Sequence, residues 1–194
     1  LRRVVVLLST TAVAVTLGMV FGVPWLANGV AMGLPDALAH DIGQGTFKLL
    51  DESMFSPSEL DEVSQRRLRD GFAQMATQHS DLPLKLHFRK MGVPNAFALP
   101  DGTVVVTDKL VELAEGNDDQ VYAVLAHEIG HVHHRHGLRM ALESASVALL
   151  ISTYVGDVSQ AAAVTTALPT VLMNSSYSRS HETEADTFAM RYLR

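Results

Sequence analysis

From Val4 to Val23 the chain reads VVVLLSTTAVAVTLGMVFGV, twenty residues without a charge. As a helix, a run of that length crosses about 30 Å of hydrocarbon. It therefore restricts the chain to one transmembrane helix followed by whatever folds behind it. Arg2 and Arg3 precede the run, and Pro24 and Trp25 follow it. Trp is favoured at the membrane interface, and the positive-inside bias keeps the two arginines in the cytoplasm. A cleaved signal peptide would want a shorter apolar core and a nearby small-x-small site. The best such site, Ala37-Leu38-Ala39, lies too far downstream. The expected organisation is an anchor over residues 1–26 and one folded domain over 27–194. The pattern at Arg194 is still helical, so the expectation is a piece of a longer protein.

The 194 residues suffice for one domain with a real core. Hydrophobic residues make up 47% and charged residues 19%, a globular balance. Without Arg2 and Arg3 the rest holds 13 basic against 21 acidic residues. No basic stripe is present, which argues against nucleic acid as a partner. Attachment to a bilayer must then come from apolar insertion through Val4–Val23, not from headgroup charge. There are no cysteines, which excludes disulfides, thiolate metal sites and a cysteine nucleophile. Five of the nine histidines fall between His127 and His136.

Residues 27–50 read as a juxtamembrane connection with a short helix broken at Pro35. Ser58 looks like an N-cap, opening a helix to about Gln78 that buries Leu60, Val63, Leu68, Phe72 and Met75. Three short strands follow, at 84–88, 95–99 and 103–107, with Pro100-Asp101-Gly102 as a turn that sets Phe97 and Val105 in a hairpin. Asp108 to about Ala114 reads as a short helix. Asn117 and Gln120 match a capping box. The helix they open carries Val121, Val124, Leu125, Ile129 and Val132 on one face. Residues 141–173 read as two packed helices or as a membrane-dipping hairpin. A last helix after Ser178 places Ala185, Phe188, Ala189 and Tyr192 on one face. The fold class is α+β: mostly helical, with a small three-stranded sheet, behind one transmembrane helix.

His127 and His131 of H-E-I-G-H are four apart, so a helix sets both imidazoles on one face, where they can share a zinc ion. Glu128 points elsewhere round the helix, free to act as a base beside the metal. A third protein ligand is needed. The class with H-E-x-x-H-x-x-G-x-x-H is excluded, because His134 and Gly137 occupy its Gly and His positions. The segment His181-Glu-Thr-Glu-Ala-Asp186 supplies a carboxylate instead. Glu182 and Asp186 share a face, so Glu182 can bind the metal while Asp186 accepts a hydrogen bond from a ligand imidazole. Glu184 points away.

With these residues in view, the chain resembles the HtpX/CaaX-prenyl-protease family of zinc metallopeptidases (metallopeptidase family 48), in particular its bacterial envelope members. The matching pieces are N-A-F-A-L-P-D-G at 95–102, V-V-V-T-D at 104–108, L-A-H-E-I-G-H-V at 125–132, R-H at 135–136 and Y-S-R-S-H-E-T-E-A-D at 177–186. The resemblance implies a zincin-like fold of the gluzincin type. It implies one Zn²⁺ on His127, His131 and Glu182, Glu128 as general base, and Asp186 behind the ligands. It also implies that Asn95, Ala96, Phe97 and Ala98 form an edge strand that aligns a polypeptide substrate. The expected activity is that of an endopeptidase for misfolded envelope proteins, in the bacterial inner membrane with its catalytic domain on the periplasmic side. A chaperone-like assembly factor with a structural or self-inhibited zinc site is the alternative. The roles of His133, His134 and His136 stay open.

Overall fold

A computed structural model describes residues 2–155 and 177–192. The N-terminal run forms α1 (Arg2–Leu17), a π-helical turn at Gly18–Gly22 and α2 (Val23–Gly33). Together they make one 32-residue helix with mean hydropathy 2.3. Its apolar side chains, from Val4 to Met32, are largely exposed. Thr10 and Thr16 donate their hydroxyls to the carbonyls of Val6 and Ala12, both at 2.9 Å, so neither polar group is left over on the apolar surface. Pro24 has no N–H to give and its ring crowds the carbonyl four residues back. The π turn falls where that carbonyl lies, which lets the helix continue past the proline.

The segment expected to be a connection with a short helix is therefore almost wholly helical. After two residues the chain turns into α3 (Asp36–Ser53). Ala31 of α2, Ala39 of α3 and Leu138 form a buried cluster with Leu34, Ile42 and Leu142 around it. The lower end of the apolar helix is thus packed on the folded body.

The sheet has four strands in the order β1-β2-β4-β3: β1 (Ser56–Pro57), β2 (Lys85–Lys90), β3 (Ala96–Ala98) and β4 (Thr103–Thr107). The three expected strands are present, and the two-residue β1 is added at one edge. β4 lies inside the sheet, parallel to β2 and antiparallel to β3. Its sequence TVVVT is entirely β-branched and all five residues are buried. β3 and β4 form the expected hairpin, and within it Phe97 pairs with Val105. The turn between them needs Gly102, whose φ is +82°; a Cβ there would stand 2.7 Å from the Pro83 carbonyl oxygen. Beside it, buried Asp101 accepts from the Thr103 hydroxyl at 2.9 Å and from Gln44 of α3 at 2.5 Å.

Both faces of the sheet are covered. Ala98, Val104 and Val106 point into the main core with Leu68, Phe72, Met75, Leu125 and Ile129. Phe97, Leu99 and Val105 pack on the other face against Leu50, Phe47 and Met140. α4 (Glu62–Thr77) starts later than expected. Asp61, not Ser58, is its N-cap, accepting from the Ser64 N–H at 2.9 Å. Ser58 donates its hydroxyl to Asp108 at 2.7 Å instead. Val63, expected to be buried, falls at helical spacing on the side of α4 away from Leu68, Phe72 and Met75, and it is 68% exposed.

α5 (Asp108–Leu113), α6 (Asp118–His133), α7 (His136–Val155) and α8 (Arg179–Tyr192) complete the described elements. Asn117 stands at the N-cap of α6, but its side chain makes no capping bond. Asp118 of that first turn pairs with Arg67 on α4 instead. The apolar stripe of α6 is buried as expected at Val121, Leu125, Ile129 and Val132. Of the expected helical pair over 141–173, α7 covers the first part; the rest lies outside the described residues, as does the Tyr192 side chain.

Candidate metal centre

α6 and α8 meet at a glycine. A Cβ on Gly130 would stand 3.0 Å from Ala185 Cα and 3.1 Å from its carbonyl oxygen, so any larger residue would make the two helices give by a few tenths of an ångström. The contact lays the H-E-I-G-H turn of α6 against the E-T-E-A-D turns of α8. His127 Nε2 lies 2.9 Å from His131 Nε2 and 3.4 Å from Glu182 Oε2, and His131 Nε2 lies 3.9 Å from Glu182 Oε1. One donor atom from each of the three falls within 4.8 Å of the others. Ligands on a tetrahedral zinc stand about 3.3 Å apart at ordinary bond lengths, so these three atoms fit around one ion.

His127 Nδ1 donates to Asp186 Oδ1 at 2.9 Å, the partnership expected from the sequence. A carboxylate only accepts, so the proton sits on Nδ1 and the Nε2 lone pair faces the centre. Burial, then His127 and the neighbouring histidines, push His131 down to about 3. Burial also pushes His136 down to about 4, against the pull of Glu184. Both rings are therefore neutral at neutral pH, the form that binds metal.

Glu128 is buried beside the three donors, and its Oε2 has no partner among the described residues. Burial, with the Glu182 carboxylate second, pushes its carboxyl up to about 8, while the Ala98 backbone amide pulls the other way. An unpaired buried carboxyl is expensive. A divalent cation at the neighbouring donors would offset that cost.

The Ala98 amide belongs to the free edge of the sheet. Thr107 N–H donates to Asn95 O, and Leu99 N–H donates to Thr103 O. In an antiparallel ladder the bonding alternates. Phe97 therefore bonds inward to Val105, and the backbone groups of Ala96 and Ala98 point off the edge. Asn95, expected in this strand, sits just before it, tied to Thr107 through its N–H and C=O.

The structure thus brings together His127, Glu128, His131, Glu182 and Asp186, with the Ala96–Ala98 edge alongside. Sequence reasoning missed Tyr177, whose ring stacks on His131 at 3.9 Å, 18° from parallel. Burial, Glu128 and Glu182 all push its hydroxyl upward. It also missed the contact of Glu184 with His136 (2.9 Å) and Arg139 (3.1 Å). The only signal for Tyr177 was its position at the head of the Y-S-R-S string. His133 is exposed, and its ring lies 5.1 Å from Phe188 and 6.4 Å from His79.

Two imidazoles and a carboxylate close together, next to a buried glutamate, make a candidate metal centre of the H-E-x-x-H kind. Residues 62–194 match the model of peptidase family M48, and the chain belongs to that family. It is 34% identical over 106 residues to metalloprotease LoiP of Escherichia coli, covering 52% of this chain and 40% of that protein. It is 32% identical over 114 residues to mitochondrial metalloendopeptidase OMA1 of Schizosaccharomyces pombe, covering 59% of this chain and 34% of that one. Metalloprotease YcaL of Escherichia coli is 31% identical over 114 residues, 52% of this chain and 40% of its own length. The matches span less than half of these relatives.

Proposed function

We propose that the chain is a zinc-dependent endopeptidase, with zinc held by His127, His131 and Glu182. The observation that carries this reading is the meeting of three donor atoms with a buried, partnerless Glu128 oxygen beside them. Two imidazoles and one carboxylate leave a fourth position open, the pattern of catalytic zinc rather than structural zinc. Zinc bound there supplies a Lewis acid that polarises a carbonyl and makes water a stronger nucleophile near neutral pH.

The chain's own residues do the rest. Ala96 offers its N–H and C=O, and Ala98 its C=O, to an extended peptide, which adds to the sheet as a further strand, while the Ala98 N–H is held by Glu128. Main-chain bonding of this kind is nearly blind to side chains and suits unfolded or misassembled substrates. Glu128 accepts a proton from the water that attacks the scissile carbonyl. It returns that proton to the amine as the C–N bond breaks. Asp186 holds the His127 ring in place.

The Arg2–Gly33 helix is read as a membrane anchor, with Arg2 and Arg3 on the cytoplasmic side and residues beyond Trp25 on the other. In a bacterium this is the inner membrane, with envelope polypeptides as substrates. The named relatives, metalloproteases and metalloendopeptidases, support the peptidase reading. Glu182→Ala tests the centre: purified wild type should hold one zinc per chain and lose casein cleavage on chelation, while the variant should hold none. Unchanged zinc content in the variant would remove Glu182 from the centre.

A further inference from the structure

Behind the first three donors lies a second group, His134, His136 and Glu184, also close enough together to hold a cation. Its hydrogen bonds decide what it does. His131 turns Nε2 toward His127 and Glu182. If that nitrogen is to bind metal, its lone pair is bare and the ring's proton sits on Nδ1. His131 Nδ1 lies 2.8 Å from His136 Nδ1. Two nitrogens at that distance share one proton, not two, so His136 Nδ1 accepts. The His136 proton is then on Nε2, 2.9 Å from Glu184 Oε2, which can only accept. Arg139 Nη1 donates to the same oxygen at 3.1 Å. His136 is fully buried, and its ring is stacked on His181 at 4.3 Å.

A second cation does not suit this group. Both His136 nitrogens are engaged, the Arg139 guanidinium already sits on the shared Glu184 oxygen, and His134 Nδ1 is 4.0 Å from that oxygen. We infer that His136, Glu184 and Arg139 form a hydrogen-bonded chain that positions the His131 imidazole for metal, the counterpart of Asp186 behind His127, and that they are not a second metal site. The inference rests on the reading of His127, His131 and Glu182 as the zinc centre. It gives His136 a positioning role that its place in the R-H step left open.

The test uses the full chain in detergent. Zinc affinity is measured by competition with a chromophoric chelator, and the visible spectrum is recorded with Co²⁺ in place of zinc. His136→Leu removes the acceptor and should weaken zinc binding about 10–100-fold, the usual effect of losing such a partner, and shift the cobalt bands. His136→Asn sets an amide oxygen near the Nδ1 position and should restore most of the affinity. Glu184→Ala, at a half-exposed position, should weaken binding in the same direction if His136→Leu fails to fold. His133→Ala, outside the chain, should bind zinc as wild type does.

Wild-type affinity and spectrum in His136→Leu or Glu184→Ala would overturn the chain. So would an equal loss in His136→Asn and His136→Leu, since only packing would then matter. Two zinc ions per wild-type chain, one of them lost in Glu184→Ala, would establish a second metal site instead. A wild type that binds no zinc would sink the metal centre itself, and the positioning role with it.

Discussion

Glu128 is held in a setting that a carboxylate alone does not favour, and this has a measurable consequence in metal-free protein. Its carboxyl rises from an ordinary 4.5 to about 8, mainly through burial. The folded state therefore keeps a proton that the unfolded chain gives up, and stability falls as pH rises through that window. His131 acts in the opposite sense. Its value falls from 6.5 to about 3, so the folded state refuses a proton that the unfolded chain takes up, and stability falls as pH drops below 6.5. Above pH 6.5 only the glutamate matters of these two. Thermal melts of metal-free protein between pH 6.5 and 9 should show wild type losing stability and Glu128→Gln holding level. Parallel curves for the two would remove the buried-carboxyl argument. With zinc bound, its positive charge should pull the carboxyl back down and flatten the wild-type curve.

At the scale of elements, the geometry of the candidate centre follows from how closely α8 approaches α6, and Gly130 lies at that contact. A methyl group there meets the Ala185 backbone at 3.0 Å and Phe188 Cβ at 3.3 Å. Gly130→Ala should push α8 outward and carry Glu182 away from the histidines, weakening zinc binding about 10-fold or more, as disturbed ligand support does. Gly71→Ala is the control: its added methyl collides with the Tyr122 ring, on the side of α6 that meets α4 rather than α8. That variant should melt lower yet bind zinc with wild-type affinity. Equal zinc affinity in both variants would mean that the α6–α8 contact does not set the centre.

The H-E-I-G-H helix, the E-T-E-A-D helix and the β3–β4 hairpin were legible because each is local: a four-residue spacing, a turn glycine, a run of valines. Pairing was less so. That β2 runs parallel beside β4 is a choice of partner, which periodicity does not encode. β1 is too short to show a period. The His136–Glu184 contact joins residues 48 apart. Ser58 was mistaken for a cap because Asp61, three residues on, was equally able to cap and stood nearer the first helical turn.

For the whole molecule the question is how the apolar helix and the metal centre are held relative to each other. Arg135 stands between α6 and α7 with φ +52°. It donates to the carbonyls of Ala31 (3.1 Å) and Leu34 (2.8 Å) at the end of α2 and pairs with Asp36. Two residues past α6, the chain thus grips the foot of the 32-residue apolar helix. The helix is about 48 Å long at 1.5 Å per residue, more than the roughly 30 Å of hydrocarbon, so its lower turns are free to stand outside the bilayer and dock. A topology reporter fused after Gly33 should be active only on the non-cytoplasmic side. Activity in the cytoplasm would reverse the orientation.

The central claim is that Glu128 works on water beside a metal it does not bind. Purified wild type and Glu128→Gln should be compared for zinc content and for cleavage of an unfolded protein such as casein. The account predicts equal zinc, one ion per chain, and cleavage lower by about 10²–10⁴-fold in the variant, the usual worth of a general base. A Glu128→Gln protein that holds zinc and cleaves as fast as wild type would contradict it.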